Sequence, residues 1–124
     1  MTMNTFKTWA ATTAGGALSR LDFDVGPLQG EDVEIAVEHC GVCHSDLAMI
    51  DSEWMPSSYP MVPGHEVIGT ITALGGQTKG RSVGQRVGVG WHSGSCSHCN
   101  ACLGGEQNLC ARRQPTIVGR HGGC

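Results

Sequence analysis

Apolar and acidic residues alternate along Asp32-Val33-Glu34-Ile35-Ala36-Val37-Glu38-His39, which puts Val33, Ile35 and Val37 on one face of an extended segment. That period of two predicts a half-buried strand. Two looser extended pieces precede it, around Phe6 to Ala11 and Ala17 to Asp24, separated by Gly15-Gly16 and followed by Gly26-Pro27. Turn-forming pairs at those places predict a meander of antiparallel strands. After Cys43, the stretch Ser45-Asp46-Leu47-Ala48-Met49-Ile50 predicts a short helix with Ser45 as its N-cap. Pro56, Pro60 and Pro63 then keep the chain irregular. The β-branched run Val67 to Leu74, ended by Gly75-Gly76, and the shorter Val83 to Val89 predict two further strands. From Gly90 to Cys110 the apolar pattern stops, and small residues, Cys and turn formers take over, as in a metal-tied lobe. Nowhere do strands alternate with long helices, so no βαβ sheet is expected and the fold class is mainly β.

Composition narrows the function. With 40% hydrophobic and 15% charged residues the chain is of globular, not disordered, type, and its 124 residues suit a single domain. A net charge of -3, with no basic cluster larger than Arg112-Arg113, argues against a nucleic-acid partner. No apolar run approaches the roughly 18 residues of a membrane span, so no membrane partner is expected. The start Met1-Thr2-Met3-Asn4-Thr5-Phe6-Lys7 lacks a secretion pattern. A cytoplasmic location is the resulting expectation, and there seven cysteines point to metal or catalysis more than to disulfides.

Cys96, Cys99, Cys102 and Cys110 have the spacing C-x2-C-x2-C-x7-C. Two-residue gaps let turns direct successive thiolates at one ion, and four thiolates close a tetrahedral shell about zinc with no open position, which makes the site structural. An iron–sulfur cluster is the competing reading. Its bacterial signature brings the fourth Cys after three residues and follows it with Pro, whereas here the gap is seven and Ala111 follows, so zinc is favoured. His98, between ligands, is read as a solvated or capping residue.

A second set of donors is scattered. Cys43 is followed by His44-Ser45-Asp46, and further on comes Gly64-His65-Glu66. Thiolate plus imidazole is a usual partial ligand set for catalytic zinc, which keeps a position open for water or substrate. A single His after Gly is more often a surface or core residue, and His65-Glu66 without a second His four residues on is no zinc-protease motif. These fragments alone leave the metal role open.

In order, Gly41-Val42-Cys43-His44-Ser45-Asp46, Pro63-Gly64-His65-Glu66-Val67-Ile68-Gly69, Val83-Gly84-Gln85-Arg86-Val87-Gly88-Val89-Gly90 and the four-cysteine lobe run from about Val33 to Cys110. This series resembles the start of a zinc-dependent medium-chain alcohol dehydrogenase. Trp54, Tyr59-Pro60 and Gly90-Trp91 make it most similar to the NADP-dependent cinnamyl-alcohol dehydrogenase branch. The resemblance implies an incomplete GroES-like barrel over residues 1–124, including a structural zinc lobe at 91–111, with the family's Rossmann domain absent. It implies Cys43 and His65 as catalytic-zinc ligands, with Glu66 as a second-shell or exchangeable ligand. Ser45 would pass the alcohol proton, His44 would lie near the cofactor pyrophosphate, and Trp54 and Trp91 would line an apolar pocket for a small aldehyde or alcohol. Cys96, Cys99, Cys102 and Cys110 would hold the structural zinc. Zinc and, in the complete enzyme, NADP are the cofactors implied.

Departures from the family shape the remaining expectations. Its third catalytic-zinc ligand is a further Cys that would fall beyond residue 124, as would the cofactor domain, so a piece of an enzyme, inactive alone, is expected. Gly88-Val89-Gly90-Trp91-His92-Ser93 lacks the third glycine of a dinucleotide fingerprint and leads into the Cys lobe. Ala48 stands where the family often ends its proton relay with His. Cys40, three residues before Cys43, is read as a buried structural thiol because a redox pair would need a thioredoxin-like context. His121-Gly122-Gly123-Cys124 suggests neither strand nor cap, and Cys124 is expected to be an exposed thiol. The alternative function is a freestanding zinc-stabilised β module for protein interaction or metal binding. The sequence leaves the oligomeric state open.

Overall fold

A computed structural model describes residues 4–124. Met1 to Met3, read above for a secretion pattern, lie outside the described residues. Strands dominate, and the helices are short. β1 (Thr5–Ala10) and β2 (Ser19–Asp24) pair antiparallel, with Thr5 opposite Asp24 and Ala10 opposite Ser19. Their β-branched and aromatic residues suit a pleated surface. The connection is pinned to the rest of the molecule where the Gly15 N–H donates to the Ile50 carbonyl at 3.0 Å.

β3 (Val33–Gly41), β4 (Glu66–Leu74) and β5 (Arg86–Val89) form a second antiparallel sheet in that order. Two irregularities interrupt the β3–β4 ladder, between Glu34 and Ile35 and between Val37 and His39. Close to them Gly69 is required, because a Cβ there would collide with the Ala36 carbonyl oxygen and crowd Ile35. Val33, Ile35 and Val37, like the intervening Glu34 and Ala36, line a cleft of about 860 Å³ that Phe6, Val67 and Ile71 also border. Among the described residues the strands form separate two-, three- and two-stranded sheets that do not close into a barrel, and Val37 remains 46% exposed despite its apolar character.

α1 (His44–Ile50) begins two residues before the start that a cap at Ser45 predicts. Cys43, not Ser45, is the N-cap, and the Asp46 carboxylate accepts its backbone N–H at 3.0 Å. The helix buries Ala48, Met49 and Ile50. Met49 and Ile50 join Ala11, Met61 and Ile117 in the core, with Tyr59 and Trp91 packed against it. Burial of each large side chain stabilises by about 1.5–3 kcal/mol relative to exposure. Tyr59 and Ser57 close the helix C-terminus, their hydroxyls donating to the carbonyls of Ile50 and Met49 at 2.6 and 2.5 Å.

The cysteine lobe is a loop with a stitched neck. β6 (His92–Gly94) pairs with β7 (Gln114–Pro115), and the Thr116 hydroxyl donates to the Gly90 carbonyl at 2.6 Å. Between them lie the short α2 (Asn100–Leu103) and a 3-10 turn at Gln107–Leu109, and α3 (Thr116–Gly119) follows the neck. The tail corrects one expectation. Although it forms no strand, the N–H groups of Gly122, Gly123 and Cys124 donate to the carbonyls of Val62, Gly64 and Pro63 at 2.8, 3.0 and 3.1 Å. Cys124 is consequently half-buried rather than exposed. Glycine makes this course possible, since a Cβ on Gly122 would collide with the Pro63 carbonyl.

Candidate metal centres

Four sulfurs converge in the lobe. One ligand atom from each of Cys96, Cys99, Cys102 and Cys110 lies within 4.8 Å of all the others. In a tetrahedral zinc shell with bonds of about 2.3 Å the sulfurs stand about 3.8 Å apart, and those of Cys96 and Cys102 are 3.9 Å apart. The backbone is arranged for anionic sulfur. The N–H groups of Cys99, Cys102 and Arg112 donate to the sulfurs of Cys96, Cys99 and Cys110 at 3.3, 3.5 and 3.3 Å. The His98 backbone N–H, above all, lowers the Cys96 thiol to about 6, and the Ser95 side chain heads the causes that lower Cys102. Cys99 goes the other way. The Cys102 N–H pulls it down, but sharing with the Cys102 sulfur, burial, and the Cys96 and Cys110 sulfurs outweigh this and leave it at about 11. Four sulfurs at this mutual distance, supported by backbone N–H donors, form a donor set that a tetrahedral divalent cation fits.

The second centre is built from two distant segments. Cys43, the N-cap of α1, directs its sulfur at the Nε2 of His65, 3.5 Å away. A thiolate and an imidazole on one tetrahedral zinc would stand about 3.6 Å apart, from bonds of about 2.3 and 2.05 Å. The other ring nitrogen, Nδ1, faces the Asp46 carboxylate at 3.1 Å. Asp46 is 2% exposed and also accepts the N–H groups of Gly64 and Cys43 at 2.9 and 3.0 Å. A carboxylate on Nδ1 fixes the tautomer in which Nδ1 carries the proton and Nε2 offers its lone pair. Asp46 falls within the same donor group. Its Oδ1 is taken by the Gly64 N–H and His65 Nδ1 and its Oδ2 by the Cys43 N–H, so it acts here as an orienting group for His65.

Aromatic rings continue the centre outward. Trp91 meets His65 edge-on with centroids 4.8 Å apart, and Trp54 meets Trp91 edge-on at 6.4 Å. Trp54 is 53% exposed, so this wall is open to solvent on one side. Ser45 is half-buried in the first turn of α1. His44 is exposed, with its Nε2 3.8 Å from a Glu53 carboxylate oxygen. Glu66, at the start of β4, is also exposed and lies across from Gly41, where an added Cβ would strike its carboxylate. It stands outside the Cys43–Asp46–His65 donor group. Cys40 directs its sulfur toward Cys124 at 3.4 Å, not into either centre.

Residues 29–124 match the alcohol dehydrogenase GroES-like domain. The chain belongs to this family. Among its relatives, an aldehyde reductase of Synechocystis is 53% identical over 94% of this chain and 35% of its own length. Cinnamyl alcohol dehydrogenase 7 of Arabidopsis thaliana is 41% identical over 83% of the chain and 29% of its own. In structure, a cinnamyl alcohol dehydrogenase of Helicobacter pylori complexed with NADP(H) superposes with a TM-score of 0.90 at 30% identity, covering 98% of this chain and 38% of that one. A cinnamyl alcohol dehydrogenase of Sorghum bicolor gives 0.86 at 37% identity, covering 97% and 36%. The chain thus spans about a third of the length of the relatives it matches, and it corresponds to the N-terminal domain of zinc-dependent medium-chain alcohol dehydrogenases.

Within this GroES-like domain, Asp46 is the residue that sequence reasoning left without a role. Its signal was present as an acidic side chain three residues after a candidate ligand, where it can close the first helical turn and still reach a neighbouring segment. What the sequence does not announce is that the neighbour is His65, 19 positions on. The cap lies at Cys43, two residues before Ser45, because Asp46 closes the first turn onto the Cys43 N–H.

Proposed function

We propose that this GroES-like domain is the N-terminal part of an NADP-linked, zinc-dependent oxidoreductase acting on small aldehydes and alcohols, and that it is inactive alone. Cys43 and His65 hold a catalytic zinc, and Cys96, Cys99, Cys102 and Cys110 hold a structural zinc in the lobe at 91–111. The observation that carries this reading is the Cys43 sulfur 3.5 Å from His65 Nε2, with the opposite nitrogen on a buried carboxylate. Zinc there supplies Lewis-acid polarisation of an alcohol or carbonyl oxygen. Asp46 holds the Nδ1 side of the ring, so that Nε2 offers its lone pair. Ser45, two residues after Cys43, carries the proton between the substrate oxygen and solvent at its hydroxyl. Trp54 and Trp91 form the apolar wall that orients the substrate chain and thins the water around it. Exposed His44 reaches the cofactor phosphates, and Glu66, next in the chain to His65, serves as an exchangeable or outer carboxylate.

Joining residues 1–124 to the remaining two-thirds of the Synechocystis relative tests the reading. The chimera is expected to reduce aromatic aldehydes with NADPH, to lose that turnover in Cys43→Ala and in His65→Ala, and the chain by itself to show none. Turnover that survives Cys43→Ala, or that the chain shows alone, would overturn it.

A further inference from the structure

Cys40 and Cys124 lie outside both metal centres, yet their sulfurs face each other at 3.4 Å. They come from segments 84 positions apart, and both backbones are fixed. Cys40 sits in β3 opposite Val67 of β4. Cys124 donates its N–H to Pro63 at 3.1 Å, and its carbonyl accepts the Trp9 N–H at 2.9 Å. Between the two sulfurs and His65 runs Gly64, with φ at +105°. A side chain there would strike the Cys40 sulfur and come within 2.8 Å of the Cys124 sulfur, so the glycine leaves room for the pair. The neighbouring C-x2-C pair does not compete, because the Cys43 sulfur is turned to His65.

We infer that Cys40 and Cys124 form a thiol oxidation site that closes to a reversible disulfide with a small-molecule disulfide such as oxidised glutathione. Side-chain rotation has only to shorten 3.4 Å to the roughly 2.05 Å of a sulfur–sulfur bond. The order of events follows from the environment. Burial, then the adjacent Cys40 sulfur, pushes the Cys124 thiol up to about 12, so Cys124 keeps its proton and the first attack falls to Cys40. The Cys40 sulfur displaces one glutathione from oxidised glutathione, whose sulfur–sulfur bond breaks, and a Cys40–glutathione bond forms. Cys124 then attacks the Cys40 sulfur, the protein disulfide forms, and the second glutathione leaves. Two protein thiols are oxidised, one small disulfide is reduced, and their two protons end on two glutathione thiols. The bond ties the tail to β3 beside Gly64, the residue before His65.

Peptide mapping of the zinc-loaded chain after incubation with oxidised glutathione, with remaining thiols alkylated on denaturation, tests this site. The expected product carries a Cys40–Cys124 cross-linked peptide and five alkylated cysteines, the seven of the sequence less two, and dithiothreitol restores seven. Cys124→Ser is expected to stop at the Cys40–glutathione adduct. In Cys40→Ser, Cys124 is expected to stay free. A Cys40–Cys43 link in the unmodified sequence, glutathione on Cys124 in Cys40→Ser, or seven free thiols under oxidant that glutathionylates an exposed-thiol control would each overturn the inference.

Discussion

The two metal centres reach similar chemistry by opposite routes. The lobe collects four sulfurs from residues 96 to 110, a stretch of local turns whose large apolar residues face outward, with Leu103 and Leu109 74% and 61% exposed. It has almost no apolar core of its own, and an ion held by the four sulfurs would take the place of one. The Cys43–His65 centre instead joins residues 22 apart, which β3, β4 and α1 bring together over a packed core. Its geometry stands on a buried carboxylate and three hydrogen bonds. On the proposed reading a metal would organise the first site, whereas the fold organises the second.

That contrast can be broken most severely at the lobe. Chelation of the metal, or Cys110→Ser, is expected to remove on the order of 10 kcal/mol of zinc-coupled folding free energy. Hydrogen exchange should then show amides 96 to 110 losing protection while those of β3 and β4 keep theirs. Protection lost equally across the sheet would mean that the lobe supports the whole domain. Next in size is Asp46→Asn, which puts an amide where His65 and two backbone N–H groups need an acceptor. Cobalt affinity at Cys43–His65 is expected to fall about 10- to 100-fold, with a loss of about 1–3 kcal/mol in stability by denaturant titration, and no change in lobe affinity. Tyr59→Phe removes the hydroxyl closing α1 at Ile50 and is expected to cost about 1 kcal/mol. Trp54→Ala should cost less still. Trp54 is half-exposed, and loss of its edge contact with Trp91 is expected to cost about 0.5–1 kcal/mol by thermal denaturation.

The same contrast explains what could be read in advance. Period-two patterning located β3 and a β-branched run located β4, because both signals are local and a strand needs no distant information to show them. Spacing alone located the lobe sulfurs, since all four lie within one local loop. His65 was ambiguous from spacing, because nothing local marks a ligand whose partner is 22 residues away. The resemblance to a family, not the periodicity, singled it out. Asp46 and the Cys40–Cys124 contact were hidden for the same reason, as both depend on tertiary approach. The tail was misjudged because Gly122 and Gly123 carry no pattern of their own and are ordered wholly by carbonyls of residues 62 to 64.

Independence of the two centres is the central claim, and a cobalt titration followed by absorption tests it most directly. The account predicts a tight first step with a four-thiolate spectrum, then a weaker second step with fewer sulfurs that disappears in His65→Ala while the first is unchanged. A single step, or loss of both steps in His65→Ala, would contradict it.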